Sequence, residues 1–278
     1  MNKGELATVG AQIQAPQPVP HRAGSRFGRD RLSDLAGWWA AVAGSTTPRR
    51  VEQLWSSRVE GFPPAQAEVV IHRFGAPGDV QEAIAWGVRA ADQAVDRGTD
   101  LVLLSLQDDA SWPVLSAQLL GLDPVEAMGW PEGGGLSDRD WIDRVGAIRD
   151  GLRGLRPLGE QPEPLLEQVN SPALAAGTGV LLRAAARRTP VLLDGPGAAT
   201  CALLADRIAR AARTWWQASD AAAGPLHDRM LSELRLTPLT RLGLGAEDGT
   251  AARIGLGLLE TAIARAADRD CAGGSVDE

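Results

Sequence analysis

The sequence predicts an α/β fold with a mainly parallel sheet flanked by helices, and three observations carry that expectation. Asp79–Arg97 has helical spacing and leads directly into DLVLLSL (100–106), an apolar run of strand length. The Ala-rich segment Ala173–Arg188 leads in the same way into TPVLLDGPGAAT (189–200), which reads as strand, glycine turn and helix. Continuously apolar strands alternating with helices are the pattern of parallel strands buried on both faces.

Taken in order, the first segment (1–25) contains AQIQAPQPVPHRAGS, rich in Pro, Gln and Gly, and reads as an extended arm. LSDLAGWWAAV (Leu32–Val42) is a short apolar helix with Ser33 as a candidate N-cap. Residues 44–64 read as loop. In DVQEAIAWGVRAADQAVDR (79–97) the apolar residues Val80, Ile84, Val88, Ala91 and Val95 fall on one helical face, and Gly98 ends the helix. WPEGGGLSD (130–138) is a glycine loop, from which Ser137 starts a helix to about Leu155. RPLGEQPEP (156–164) is a proline-rich connection, and the helix after DGPG is expected to run to about Trp216. The tryptophans at 38, 39, 215 and 216 read as core or as a dimer contact. In such sheets ligands bind at the carboxyl ends of the strands, which points to the loops after Leu106 and Leu193.

Composition narrows the chemistry. With 28 basic and 35 acidic residues the formal charge is −7, and no basic stripe is present, so a nucleic-acid partner is not expected. Lys3 is the only lysine and Tyr is absent, which removes lysine Schiff-base and tyrosine acid/base mechanisms. Cys201 and Cys271 form no CxxC pair, and His21, His72 and His227 are scattered, so neither a metal nor another cofactor is expected. No apolar stretch reaches membrane-spanning length and the start lacks a signal-peptide shape, so a cytoplasmic location without a membrane partner is the default.

The candidate chemistry lies near the end, in LGLGAEDGTAARIGLGLLE (242–260). Glu247 and Asp248 precede Gly249-Thr250 and an apolar helical run. Two readings stand: one of the carboxylates is a general base, or both begin a helix and favour its dipole.

From Arg188 to about Ala264 the chain resembles the nicotinate-nucleotide–dimethylbenzimidazole phosphoribosyltransferase family. It has the same order of a strand ending in Asp-Gly, a long helix, a Ser…Pro…His segment (Ser219, Pro225, His227) and an acidic-Gly-Thr helix start. Weaker likeness extends upstream through GSRFGRDRLSDLAGWW, DQAVDRGTDLVLLS and GGGLSDRDWIDRVGAIRD. The resemblance implies a Rossmann-like α/β domain (46–249), with a small helical subdomain from both chain ends (26–45 plus 250–270). It also implies a homodimer, or a heterodimer of dissimilar homologues. The implied reaction is phosphoribosyl transfer from nicotinate mononucleotide to a benzimidazole-type aromatic base, with inversion at the anomeric carbon.

Counting back from LLE (258–260), the family's catalytic glutamate falls on Asp248, one methylene shorter, with Glu247 beside it. The implied substrate-binding positions are Gly133, Gly134, Gly135, Arg144, Asp194, Gly195, Ser219, Gly249 and Thr250. Arg144 stands where the family has lysine. The sequence also departs from the pattern. The family's glycine-rich phosphate loop is replaced by SLQDDASWP (105–113), where Asp108 and Asp109 would repel a phosphate. The Gly-Asp-His-Gly segment is absent, with GFPPAQAEVVIHRFG (61–75) in that region. Asn170-Ser171 replaces a double glycine, and Asp220 and Gly224 replace a His and a Glu. These changes imply a degenerate active site, or a catalytically inactive paralogue serving as a partner subunit or small-ligand binder. His227 reads as a helix-surface or packing histidine rather than a catalytic one.

Overall fold

The computed structural model describes residues 4–17, 30–44, 47–55, 67–73, 78–107, 111–129, 137–222, 224–244 and 247–273. The chain runs α1 (Glu5–Gly10), α2 (Arg31–Ala43), β1 (Arg50–Trp55), β2 (Glu68–Arg73), α3 (Val80–Asp96), β3 (Leu101–Ser105), α4 (Trp112–Leu120), α5 (Pro124–Met128) and α6 (Asp138–Leu155). It continues with α7 (Pro162–Val169), α8 (Pro172–Ala186), β4 (Val191–Asp194), α9 (Gly195–Ile208), β5 (Trp216–Ala218), β6 (Asp220–Ala222), α10 (Pro225–Glu233), β7 (Thr240–Gly243) and α11 (Thr250–Gly273). The five main strands form an all-parallel sheet in the order β2-β1-β3-β4-β5, a doubly wound arrangement, and β6 and β7 form a separate pair.

The two apolar runs behave as their composition demands. Leu101–Leu104 and Val191–Leu193 are buried, and Val102, Leu103 and Leu104 stand in register with Val191, Leu192 and Leu193. The layers on the two faces can be assigned from β1. Successive strand residues point to opposite faces. Glu52 pairs bidentately with Arg97 at the end of α3, at 2.8 Å to each oxygen, whereas Gln53 accepts from Arg253 Nε of α11 at 2.9 Å. Thus α3 and α11 cover opposite faces. On the α3 face, α3 and α8 approach closely because of glycine. A Cβ on Gly87 would lie 2.0 Å from the Ala176 carbonyl oxygen, and one on Gly179 would lie 2.7 Å from that of Ile84. On the other face α2 packs against α11, and Arg265 Nη2 reaches Asp30 Oδ2 at 2.6 Å, so the two ends of the chain meet.

Several local expectations are corrected. The segment expected as an extended arm contains α1, whose Leu6 is buried. Residues 44–64 contain β1. Its Glu52 and Gln53 disguise a buried strand because their partners come from distant sequence. Asp30, and not Ser33, caps α2; its carboxylate accepts the Ser33 N–H at 2.8 Å. The expected proline-rich connection is a 3-10 turn (Arg156–Leu158) followed by the start of α7. The helix after DGPG stops at Ile208, because Ala209 is extended (φ −147°, ψ 95°), and Trp216 instead begins β5. Of the two readings of the tryptophans, the core one holds for Trp39, Trp215 and Trp216, which are buried within this chain. Trp38 is half-buried and donates to the Thr214 carbonyl. Ser137 does cap α6, accepting the Asp140 N–H, and Gly98 takes a left-handed φ of 83° after α3.

Candidate active site

The carboxyl ends of β3, β4 and β5, the first turn of α9 and the start of α11 converge on a buried polar cluster. Its centre is Asp194, the last residue of β4, in register with Ser105 of β3. Ser105 Oγ donates to Asp194 Oδ2 at 2.8 Å, and the Gly249 N–H donates to the same carboxylate. Burial pushes the Asp194 carboxyl up to about 6, and the negative charges of Asp248 and Asp220 push in the same direction. The Ser105 and Gly249 bonds pull against them.

Glu247 is buried at a left-handed φ of 49°, and its carboxylate accepts the Gly197 N–H in the first turn of α9. Helix N-termini favour anions, and here the anion is the chain's own side chain. The glycines of the turn leave room for it. A Cβ on Gly195, itself at φ 78°, would lie 2.5 Å from Glu247 Cγ, and one on Gly197 would lie 2.3 Å from the Leu106 carbonyl oxygen. Asp248 Oδ1 accepts the Thr250 N–H at 2.9 Å and caps the first turn of α11. The two members of the acidic pair therefore point to different structural tasks.

Beyond β5, Ser219 is fully buried and its Oγ has no hydrogen-bond partner. Asp220 gathers the strand that leads to the acidic pair. Its Oδ1 accepts from the Leu242 N–H at 2.7 Å and from Thr240 Oγ1 at 2.6 Å, while Oδ2 accepts from the Leu244 N–H at 2.8 Å. His227 is buried, and its Nδ1 accepts the Ala222 N–H at 2.9 Å. Burial lowers it to about 4, with Asp228 and Asp220 opposing the shift, so the ring is neutral near pH 7.

The structure thus brings together Asp194, Gly195, Glu247, Asp248, Gly249 and Thr250. Ser219 lies alongside, at the end of β5. Arg144 does not join them. It is exposed on α6, which packs against α4, α5 and α7. Gly133, Gly134 and Gly135, together with Asp108 and Asp109, lie outside the described residues. The sequence reading missed Ser105 and Gly197 as ligands of the two carboxylates, and Asp220 as an organiser of the β7 strand. The apolar run ending in Ser105 could have flagged the first, since a lone hydroxyl closing a buried strand needs a partner. Among the described residues no group of three or more His, Cys, Asp or Glu is arranged to hold a metal ion.

A family model described as Phosphoribosyltransferase matches residues 77–272. The nicotinate-nucleotide–dimethylbenzimidazole phosphoribosyltransferase of Streptomyces avermitilis is 40% identical over 195 residues, covering 68% of this chain and 51% of that protein. The protein of the same name from Mycobacterium tuberculosis is 37% identical over 185 residues, covering 66% and 51%. The chain thus spans about half the length of the curated relatives it matches. The crystal structure of CobT from Thermus thermophilus superposes with a TM-score of 0.70 over 93% of this chain and 95% of that one, at 21% identity, a likeness of fold. The chain belongs to the nicotinate-nucleotide–dimethylbenzimidazole phosphoribosyltransferase family.

Proposed function

We propose that this chain is a member of the family with a degenerate active site. On its own it does not carry out phosphoribosyl transfer from nicotinate mononucleotide to a benzimidazole-type base, and it serves as a partner subunit, in a homodimer or with a dissimilar homologue. One observation carries the reading: both carboxylates of the acidic pair are engaged by the backbone. Glu247 accepts from Gly197 N–H and Asp248 from Thr250 N–H. A general base must come within about 2.6–3.2 Å of the proton it takes. A carboxylate spent on helix N–H groups is held away from such a role. The replacement of the glycine-rich phosphate loop by SLQDDASWP supports the same conclusion.

The test is nicotinate release from nicotinate mononucleotide with 5,6-dimethylbenzimidazole as acceptor, for the wild type and a Glu247→Ala/Asp248→Ala double variant. The expected result is no release by either protein, both shown folded by circular dichroism. Release by the wild type that is lost in the double variant would overturn the proposal. A second reading has its own support: Asp194, raised to about 6 at a strand end, has a proton affinity suited to a base near neutral pH. Under that reading the wild type releases nicotinate and Asp194→Asn abolishes it, while the double variant retains activity.

A further inference from the structure

The helix α10 ends in an unusual way. The Arg235 N–H donates to the Ser232 carbonyl at 3.0 Å and the Leu236 N–H to the Leu231 carbonyl at 2.9 Å, the two bonds of a closing turn. That turn needs a left-handed residue, for which glycine is the usual choice, yet Arg235 occupies it at φ 56°. A long side chain at a strained backbone position raises the question of what it faces. Arg235 lines a cavity of about 280 Å³ at the β5 edge of the main sheet. Arg31 and Trp38 of α2, Trp216 and Gln217 of β5, and Leu236 line it too. The cavity sits at the amino end of β5. Its Trp216 is in register with Val191, three residues and so about 10 Å along the strand from Asp194, which sets it apart from the acidic cluster.

The wall combines unmatched positive charge with apolar surface. Arg31 and Arg235 are exposed, and among the described residues neither has a carboxylate within ion-pair distance. Arg31 Nη2 donates to the Thr237 and Pro238 carbonyls, at 2.8 Å to each, which aims the guanidinium without neutralising it. The Arg235 side chain makes no hydrogen bond among those residues. A third arginine of the wall, Arg213, is by contrast committed to Asp206 through two bonds of 2.7 Å. Trp38 is half-buried and its N–H is taken by the Thr214 carbonyl at 3.0 Å, so the ring is fixed and has only apolar surface left to offer. Guanidinium groups hold carboxylate and phosphate in a planar fork, and an aromatic ring stacks on another. Two unmatched cations beside a fixed ring therefore suit an anion carried on a planar apolar body. Pockets for drug-sized ligands run from about 300 to 1,000 Å³, so this one admits a single-ring molecule and not a nucleotide. We propose that this cavity binds a small aromatic anion, one ring bearing a carboxylate or a phosphate, and that Arg235 decides its affinity. The site lies away from the acidic cluster and does not rest on the proposed loss of transfer activity.

The site is tested by titration calorimetry on the full chain with benzoate, phenyl phosphate, benzyl alcohol and inorganic phosphate. The wild type is expected to bind benzoate or phenyl phosphate, and whichever binds more tightly assigns the anionic group as carboxylate or phosphate. Benzyl alcohol, which lacks the charge, and inorganic phosphate, which lacks the ring, are each expected to bind at least about tenfold more weakly, the loss of one good contact. Arg235→Gly removes the cation and supplies the residue that the left-handed turn favours. It is expected to weaken binding about tenfold or more while keeping or raising the Tm, a combination that a purely structural role would not produce. Arg235→Asn, which also tolerates that backbone conformation, repeats the test should the glycine loosen the turn. Arg241→Ala, which removes an exposed arginine outside the cavity, is expected to leave binding unchanged. The inference is overturned if neither aromatic anion binds, if the alcohol or inorganic phosphate binds as tightly as they do, or if both Arg235 variants bind like the wild type. It is equally overturned if Arg241→Ala weakens binding as much as Arg235→Gly, since the attraction would then be a diffuse surface effect. Nicotinate release is a separate assay, so failure of either conclusion leaves the other standing.

Discussion

The middle of the sheet and its carboxyl end are equally buried and are built from the same strands, yet they solve burial in opposite ways. In the middle, Leu101–Leu104 and Val191–Leu193 need only apolar neighbours, supplied by the helices on the two faces of the sheet. One or two residues further along, Ser105, Asp194 and Asp220 are just as hidden, and their side chains make specific hydrogen bonds. The middle tolerates any partner of the right volume, whereas the rim depends on named bonds, several of them from a chain segment far away in sequence. Burial alone therefore says nothing about whether a region is packing or chemistry; the bonding of its polar atoms does.

Substitutions should separate the two regions in order of size. Leu104→Ala in the middle is expected to cost roughly 3–4 kcal/mol in urea unfolding, since it removes a fully buried side chain from a tight layer. A cost under about 1 kcal/mol would mean that the layer collapses into the space. Gly87→Ala is expected to cost about 2–3 kcal/mol by forcing a Cβ against the Ala176 carbonyl, with the α3–α8 contact opening as the visible consequence.

The rim is distinguished by pH. Asp194 has a folded value of about 6, above its unfolded value of 3.8, so the folded state holds the proton more tightly and stability falls as pH rises from about 4 to about 6. His227 has a folded value of about 4, below its unfolded 6.5, so its neutral form favours the fold and stability falls as pH drops from about 6.5 to about 4. The two slopes oppose each other over the same window. Asp194→Asn should therefore expose a loss of stability on acidification, and His227→Gln a loss as pH rises towards 6. Chemical denaturation at pH 4, 5, 6 and 7 reads both, and parallel profiles for the two variants would sink the account. The smallest effect is expected at the surface. Arg241→Ala breaks an ion pair with Asp228 whose partners are both more than half exposed, and should change stability by about 0.5 kcal/mol or less.

These regions also differ in how far the sequence announced them. DLVLLSL and TPVLLDGPG were legible because continuous apolar runs between helices admit little besides buried parallel strands. The helix at 79–97, its stop at Gly98 and the Ser137 cap were legible for a similarly local reason, since periodicity and capping act within a few residues. β1 escaped because Glu52 and Gln53 look like surface residues until Arg97 and Arg253 are brought to them. The end of α9 escaped because nothing in RIARAARTWW forbids a helix. The chain leaves it so that Trp216 can pair with Val191 at the sheet edge.

The acidic pair marks the same boundary. By itself the sequence determined the family, the parallel α/β layers, and that Glu247 and Asp248 precede a helix, because composition, periodicity and motif order are properties of the chain. Only the tertiary structure decided that Asp248 caps that helix while Glu247 turns back to the start of α9. It also decided that Asp194, carried on another strand, becomes the carboxyl with raised proton affinity. The reason is physical: the ionisation of a carboxylate depends on which donors and charges stand within a few ångströms of it, and the donors to Asp194 and Glu247 come from residues 50 or more positions away.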